Sequence, residues 1–138
     1  MSKISLNNLS HSYLAQQNND LDWALRDIDL EWSDGGAYAL LGPSGCGKTT
    51  LLNIISGLLK PTKGEVYFDD KKITHLSPIE RNIAQIFQFP VIYDTMTVFD
   101  NLAFPLRNRG MNEDKIQSKV KEIAEMLDLS ETLYNRAS

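Results

Sequence analysis

The chain has a single cysteine, Cys46, among its 138 residues. A disulfide within the chain is therefore excluded, and the sequence fits a reducing compartment. It has no basic surplus: 14 Lys and Arg stand against 18 Asp and Glu, a net charge of -4. That argues against nucleic acid as a partner, because domains that bind it concentrate positive charge. No apolar run approaches the ~20 residues that cross a bilayer as a helix. The first residues, Met1 to Asn8, alternate like a strand and carry no long apolar core, so they do not read as a secretion signal. Asn8-Leu9-Ser10 matches a glycosylation acceptor, which a cytoplasmic chain would not use. His11 and His75 share no metal-like spacing with Cys46 or with each other, and both read as surface or capping residues. There is no internal repeat and no low-complexity segment.

What is present is ordinary in bulk and specific in one place. Hydrophobic residues make up 42% and charged residues 23%, near the globular average, and the length suffices for one domain with its own core. The specific place is Gly42-Pro43-Ser44-Gly45-Cys46-Gly47-Lys48-Thr49, which reads G-x-x-x-x-G-K-[ST]. Glycines allow the backbone to approach a phosphate chain closely. Their N–H groups and the start of the following helix form an anion cradle. The Lys48 ammonium would reach the terminal phosphates, and the Thr49 hydroxyl would hold Mg²⁺. The flanks support this reading. Ala37 to Leu41 is a short apolar run expected to be a buried strand, and Thr50 to Ser56 is expected to be helical, with Gly57 at its end. Cys46 reads as a small residue in a tight loop; the alternative is a thiol activated by the helix N-terminus.

Around this motif the pattern predicts a β-rich unit. Ile4, Leu6 and Leu9 mark a first strand, and Ile28, Leu30 and Trp32 share one face of a second, half-buried antiparallel one. Asp34-Gly35-Gly36 is a turn, and Lys60 to Gly64 breaks the helix after the loop. Glu65 to Phe68 and Lys72 to Thr74 read as a hairpin around Asp69-Asp70. The same residues could be read as a metal-binding strand ending in two acids, but the neighbouring lysines favour a solvated turn. Ile83 to Phe87 is expected to be another short strand. From about Thr97 the pattern turns helical. Val98 to Arg107 has an apolar face that Pro105 disturbs near its end. Asn112 caps a longer helix whose apolar stripe is Ile116, Val120, Ile123, Ala124 and Leu127.

The phosphate loop alone does not separate a kinase, a GTPase and a transport motor. Three further features do: Tyr13 after the first strand, Gln88 in the run Gln85-Ile86-Phe87-Gln88-Phe89-Pro90, and Met96-Thr97-Val98-Phe99-Asp100-Asn101-Leu102 at the start of the helices. With Gly42 to Thr50, they make the chain resemble the ATP-binding subunit of an ABC transporter, most closely the importer branch for sugars, polyols and glycerol derivatives. The resemblance runs from Ile4 to Ala137. It implies an α/β phosphate-loop NTPase fold of the ABC type. Residues 1–96 would form the nucleotide-binding core with its antiparallel β subdomain, and residues 97–138 the start of the helical subdomain.

The resemblance also implies roles. ATP and Mg²⁺ would be bound. Tyr13 would stack on the adenine, with Trp23 a weaker candidate; the plainer reading of Tyr13 is a partly buried core or edge residue. Gly42, Pro43, Ser44, Gly45, Cys46, Gly47, Lys48, Thr49 and Thr50 would surround the phosphates. Thr49 and Gln88 would face the metal, and Lys48 and Gln88 would serve the chemistry. Residues 87–106 would meet a membrane permease subunit, with Phe89, Pro90, Val91, Ile92, Tyr93 and Phe104 as apolar anchors or, equally, as core. A second ATP-binding subunit, identical or different, would complete a dimer. The location would be the cytoplasmic face of the inner membrane, reached only through the permease.

The family's Leu-Ser-Gly-Gly-Gln-type signature, its strand ending Asp-Glu and its switch histidine are not in the sequence. The family order would place them after residue 138, and Leu133 to Ser138 resembles the approach to the signature. The fold is thus expected to be incomplete at the C-terminus, and the chain alone marginal in stability and not competent to hydrolyse ATP. Two other readings stand beside the importer motor: a nucleotide-binding fragment without turnover, and a small phosphate-loop kinase.

Overall fold

The computed structural model describes residues 2–89 and 91–137. Its contacts divide the chain into two compact units, Met1–Gln85 and Ile86–Ser138.

The first unit is built on alternation interrupted by bulges. Strand β1 (Ile4–His11) pairs antiparallel with β2 (Leu25–Trp32) on one side and β3 (Lys63–Phe68) on the other, and β4 (Lys71–Lys72) completes the order β2-β1-β3-β4. Leu6 lies opposite Leu30 and Leu9 opposite Ile28, so β1 carries an extra residue between these pairs. In an unbroken strand, Leu6 and Leu9 would face opposite sides. The bulge, with Asn8 at φ 48°, turns both into the core, and both are buried. The Asn8 N–H that leaves the ladder donates to Asp29 Oδ1 at 2.7 Å. Because Leu9 faces inward, so does His11, on the same face of the strand. The expectation of a surface or capping histidine is therefore wrong for His11, which is buried, and right only in exposure for His75.

Helix α1 (Lys48–Ser56) shares one core with the sheet through Leu51, Ile54 and Ile55, against Leu6, Leu9, Leu25, Val66 and Ile73. Each such buried side chain contributes about 1.5–3 kcal/mol. Gly57 ends the helix in the left-handed region, its N–H donating to the Ile54 carbonyl. The β3–β4 hairpin turns at Asp69-Asp70 as expected. Asp69 Oδ1 accepts from the Lys3 N–H at 2.9 Å, and Glu65 is taken up by Lys72 and Thr74. Among the described residues no cluster of three His, Cys, Asp or Glu side chains is placed to hold a metal ion. A short helix, α2 (Pro78–Arg81), opens with a capping box between Ser77 and Glu80.

Two expected strands are not formed. Ala37 to Leu41 is irregular and exposed, and Ile83 to Phe87 has no strand pairing. An apolar run becomes a strand only when neighbouring strands take its backbone N–H and C=O groups. Among the described residues no strand lies alongside either segment.

In the second unit, α3 (Val98–Asn108) and α4 (Glu113–Met126) pack through Phe99, Ala103, Ile116, Val120 and Ala124. Asn112 caps α4 by accepting from the Asp114 N–H. Of the expected stripe, Ile116, Val120 and Ala124 are buried, whereas Ile123 and Leu127 are exposed. Pro105 sits inside α3, which continues to Asn108; the ring costs the one helical bond to the Asn101 carbonyl. The first turn of α3 is satisfied from the C-terminal segment, with Val98 N donating to the Asn135 carbonyl at 2.9 Å and Phe99 N to that of Leu133 at 2.7 Å. No described helix is long and apolar enough to cross a membrane.

Candidate nucleotide site

Three segments of the first unit converge at the start of α1. The end of β1 supplies His11 and, just beyond it, Tyr13. The residue just before β2 is Ala24, whose N–H donates to the His11 carbonyl at 2.9 Å. The loop 42–47 leads into α1, and Gly47 is its N-cap with φ 90° and no side-chain cap. A Cβ at Gly47 would lie 2.5 Å from the Ala24 carbonyl oxygen and 2.7 Å from the Leu25 side chain. Only glycine lets the loop pass this close to β2 in a left-handed conformation. An uncapped first turn leaves backbone donors pointing out of the helix, which is the chemistry an anion needs.

The loop folds on itself. Cys46 N donates to the Pro43 carbonyl at 3.3 Å. The Lys48 ammonium donates to the carbonyls of Gly42 and Pro43, both at 2.7 Å, and lies 3.6 Å from Cys46 Sγ. Its positive charge is thus held over the loop by neutral acceptors, and among the described residues no carboxylate pairs with it. Gly42, Pro43, Ser44, Gly45, Cys46 and Thr49 are exposed, and Gly47 and Lys48 are half-buried. Thr49 stands in the first turn of α1. Thr50 is buried, and its hydroxyl lies 3.0 Å from the Tyr13 hydroxyl. These residues fit a phosphate chain: exposed backbone donors, one cation and a helix terminus.

The structure therefore gathers Tyr13, Gly42 to Lys48, Thr49 and Thr50 around one helix start. Trp23 is half-buried, with the Lys63 ammonium 5.1 Å from its ring centroid, which leaves it engaged elsewhere. Gln88 belongs to the second unit and is exposed. Phe89, Val91, Ile92 and Tyr93 are also exposed there, and Phe104 is half-buried with its ring centroid 5.1 Å from that of Tyr93. Pro90, expected among these anchors, and Ser138 lie outside the described residues.

The comparisons decide the family. Residues 25–138 match the family described as "ABC transporter". The chain belongs to the ABC transporter family. Among its relatives, the trehalose/maltose import ATP-binding protein MalK of Thermococcus litoralis is 45% identical over 119 residues, covering 82% of this chain and 32% of that protein. The sn-glycerol-3-phosphate import ATP-binding protein UgpC of Ralstonia nicotianae is 41% identical over 136 residues, covering 99% of this chain and 36% of the relative. This ABC-family chain thus spans about a third of the length of these relatives. Among solved structures, an ATP-binding cassette of an ABC transporter superposes with a TM-score of 0.81 at 29% identity, over 99% of this chain and 58% of the cassette. Another, described as a dimer in a post-hydrolysis state with ADP and Pi, gives 0.77 at 30% identity, over 96% and 60%. The fold is a partial ABC nucleotide-binding domain, with the antiparallel sheet and the helices expected. Tyr13 precedes the family match, so its place beside the loop rests on geometry.

Proposed function

We propose that this chain binds MgATP as the nucleotide-holding portion of an importer motor whose full-length form couples ATP hydrolysis to uptake of a small polyhydroxylated solute. The observation that carries the reading is the Lys48 ammonium over the carbonyls of Gly42 and Pro43, at the uncapped start of α1. A bound phosphate chain would take the ammonium from those neutral carbonyls, because a charged acceptor makes the stronger bond. Backbone N–H groups from Gly45 to Thr49 would hold the phosphate oxygens, and Thr49 would offer its hydroxyl to Mg²⁺. Mg²⁺ supplies charge neutralisation across the terminal phosphates. Tyr13 would support the adenine, and Gln88 would serve the metal and the attacking water. The nucleotide core of this reading covers residues 1–96 and the helical part 97–138.

The substrate class is supported by the names of the relatives, a trehalose/maltose and an sn-glycerol-3-phosphate import ATP-binding protein. Partners follow from the same reading: permease subunits against residues 87–106, a second ATP-binding subunit, and a place on the cytoplasmic face of the membrane. Exposed Phe89, Val91 and Ile92 support the permease contact. For this chain alone we propose binding without turnover, since Gln88, the group this reading gives the water, is an amide and cannot take up its proton.

Calorimetric titration with MgATP tests the reading. Saturable binding that Lys48→Ala removes is expected. Equal binding by both proteins would overturn it.

A further inference from the structure

A histidine buried beside the loop has no evident structural reason to be polar. His11 is 6% exposed, and its Nε2 finds no hydrogen-bond partner among the described residues. Its Nδ1 lies 3.5 Å from Thr62 Oγ1, at the outer limit of a hydrogen bond. Leaving a buried ring nitrogen unpaired is unfavourable, so an aliphatic residue would serve the core better. What the imidazole does contribute is a flat ring against Tyr13. The two ring centroids are 4.7 Å apart with an interplanar angle of 87°, an edge-to-face pair.

Tyr13 is held at a second point. Its hydroxyl lies 3.0 Å from Thr50 Oγ1, in the first turn of the helix that carries Lys48 and Thr49. Yet Tyr13 as a whole is 66% exposed. A side chain on a loop, fixed at its ring and at its hydroxyl but otherwise open to solvent, is a platform already set for something flat.

We infer that His11 and Thr50 are positioning residues for an adenine platform at Tyr13, and that they set the span between the base and the phosphate helix. This rests on the nucleotide reading proposed above. A ring held in place before binding loses less freedom on stacking, so its contribution to affinity is larger. Because Thr50 belongs to α1, the ring and the phosphate donors move as one body. A ligand that has both a base and a phosphate chain is favoured over either alone.

The test compares MgATP with magnesium tripolyphosphate, which has the phosphates and no base. His11→Leu, which keeps an apolar side chain of similar size, is expected to weaken MgATP binding about fivefold. It leaves tripolyphosphate binding as in the parent. His11→Phe, which restores a flat ring, returns MgATP affinity to near the parent value. Thr50→Val, lacking the hydroxyl, weakens MgATP to a similar degree, and Thr50→Ser does not. Parent-like MgATP binding by His11→Leu would overturn the inference and leave the nucleotide reading standing. Equal weakening for both ligands would also overturn it, since that is loss of structure rather than of ring position. If Tyr13→Ala binds MgATP as well as the parent, or the parent binds neither ligand, the platform itself is wrong and the inference falls with it.

Discussion

Arg81 caps the helix of the phosphate loop at its far end: its Nη1 donates to the Ile54 carbonyl at 2.7 Å, in the last turn of α1. The same nitrogen reaches the Ile55 carbonyl at 2.9 Å, Nε reaches Leu76 at 2.9 Å, and Nη2 reaches Thr74 at 3.0 Å. The guanidinium is buried, and its partners are all carbonyls. Burial pushes its pKa down, but the negative end of the helix dipole and four acceptors offset the loss of water. Gly57 makes room for it, since a Cβ there would lie 2.7 Å from Arg81 Nε.

Replacing Arg81 by Met takes the guanidinium donors from those four carbonyls, of which Ile54 keeps the Gly57 N–H. A loss of about 2–4 kcal/mol is expected for the first unit. Lysine, with a single donor head, restores only part of it. Urea unfolding followed by Trp fluorescence checks this. Unchanged midpoints for Arg81→Met would contradict the capping role.

Gly47→Ala combines a left-handed φ with a contact at 2.5 Å to the Ala24 carbonyl. A cost of about 2 kcal/mol or more is expected, because the loop must withdraw from β2. MgATP affinity should fall together with stability. Stability unchanged in thermal unfolding would show that the loop does not need this close approach.

The second unit should be sensitive to acid. Arg107 bonds Asp100 at 2.9 Å and Glu113 at 2.6 Å, joining α3 to the start of α4. Both carboxyl groups are held below their usual range, Asp100 by Arg107 first and then by Thr97, and Glu113 by Arg107. A depressed carboxylate contributes stability above its unfolded pKa, near 4, and loses it as pH falls through the lower folded value. The three groups are largely exposed, so the effect is small and weakens with salt. Helical circular dichroism should decline below about pH 4 in the parent, and less steeply in Arg107→Met. Identical acid profiles would show that these pairs are not linked to folding.

The features readable from sequence were those that depend on local chemistry. Asn112 as a cap, Gly57 as a helix end and the Asp69-Asp70 turn need only their own neighbours, and each is where the pattern placed it. The phosphate loop is also local, because its glycines and Lys48 act within one turn of backbone. Ala37 to Leu41 and Ile83 to Phe87 failed as strands because a strand is defined by partners, and an apolar run carries no information about whether they are present. The burial of His11 escapes the sequence pattern because the bulge at Asn8 shifts the face of the later residues in β1, and nothing in Asn7-Asn8 announces it. Arg81 is not legible in the sequence, since a lone arginine after Pro78 looks like any surface charge until the carbonyls of Ile54 and Ile55 are placed beside it. The Tyr13–Thr50 contact joins residues far apart in sequence, and only the fold brings them together.

The central claim is that this chain holds MgATP through Lys48 and does not turn it over alone. The direct measurement is a calorimetric MgATP titration with phosphate release followed in the same sample, for the parent chain and for Lys48→Ala. The account predicts saturable binding by the parent, none by Lys48→Ala, and phosphate release from the parent no faster than from the variant. Failure of the parent to bind, or phosphate release that depends on Lys48, would contradict it.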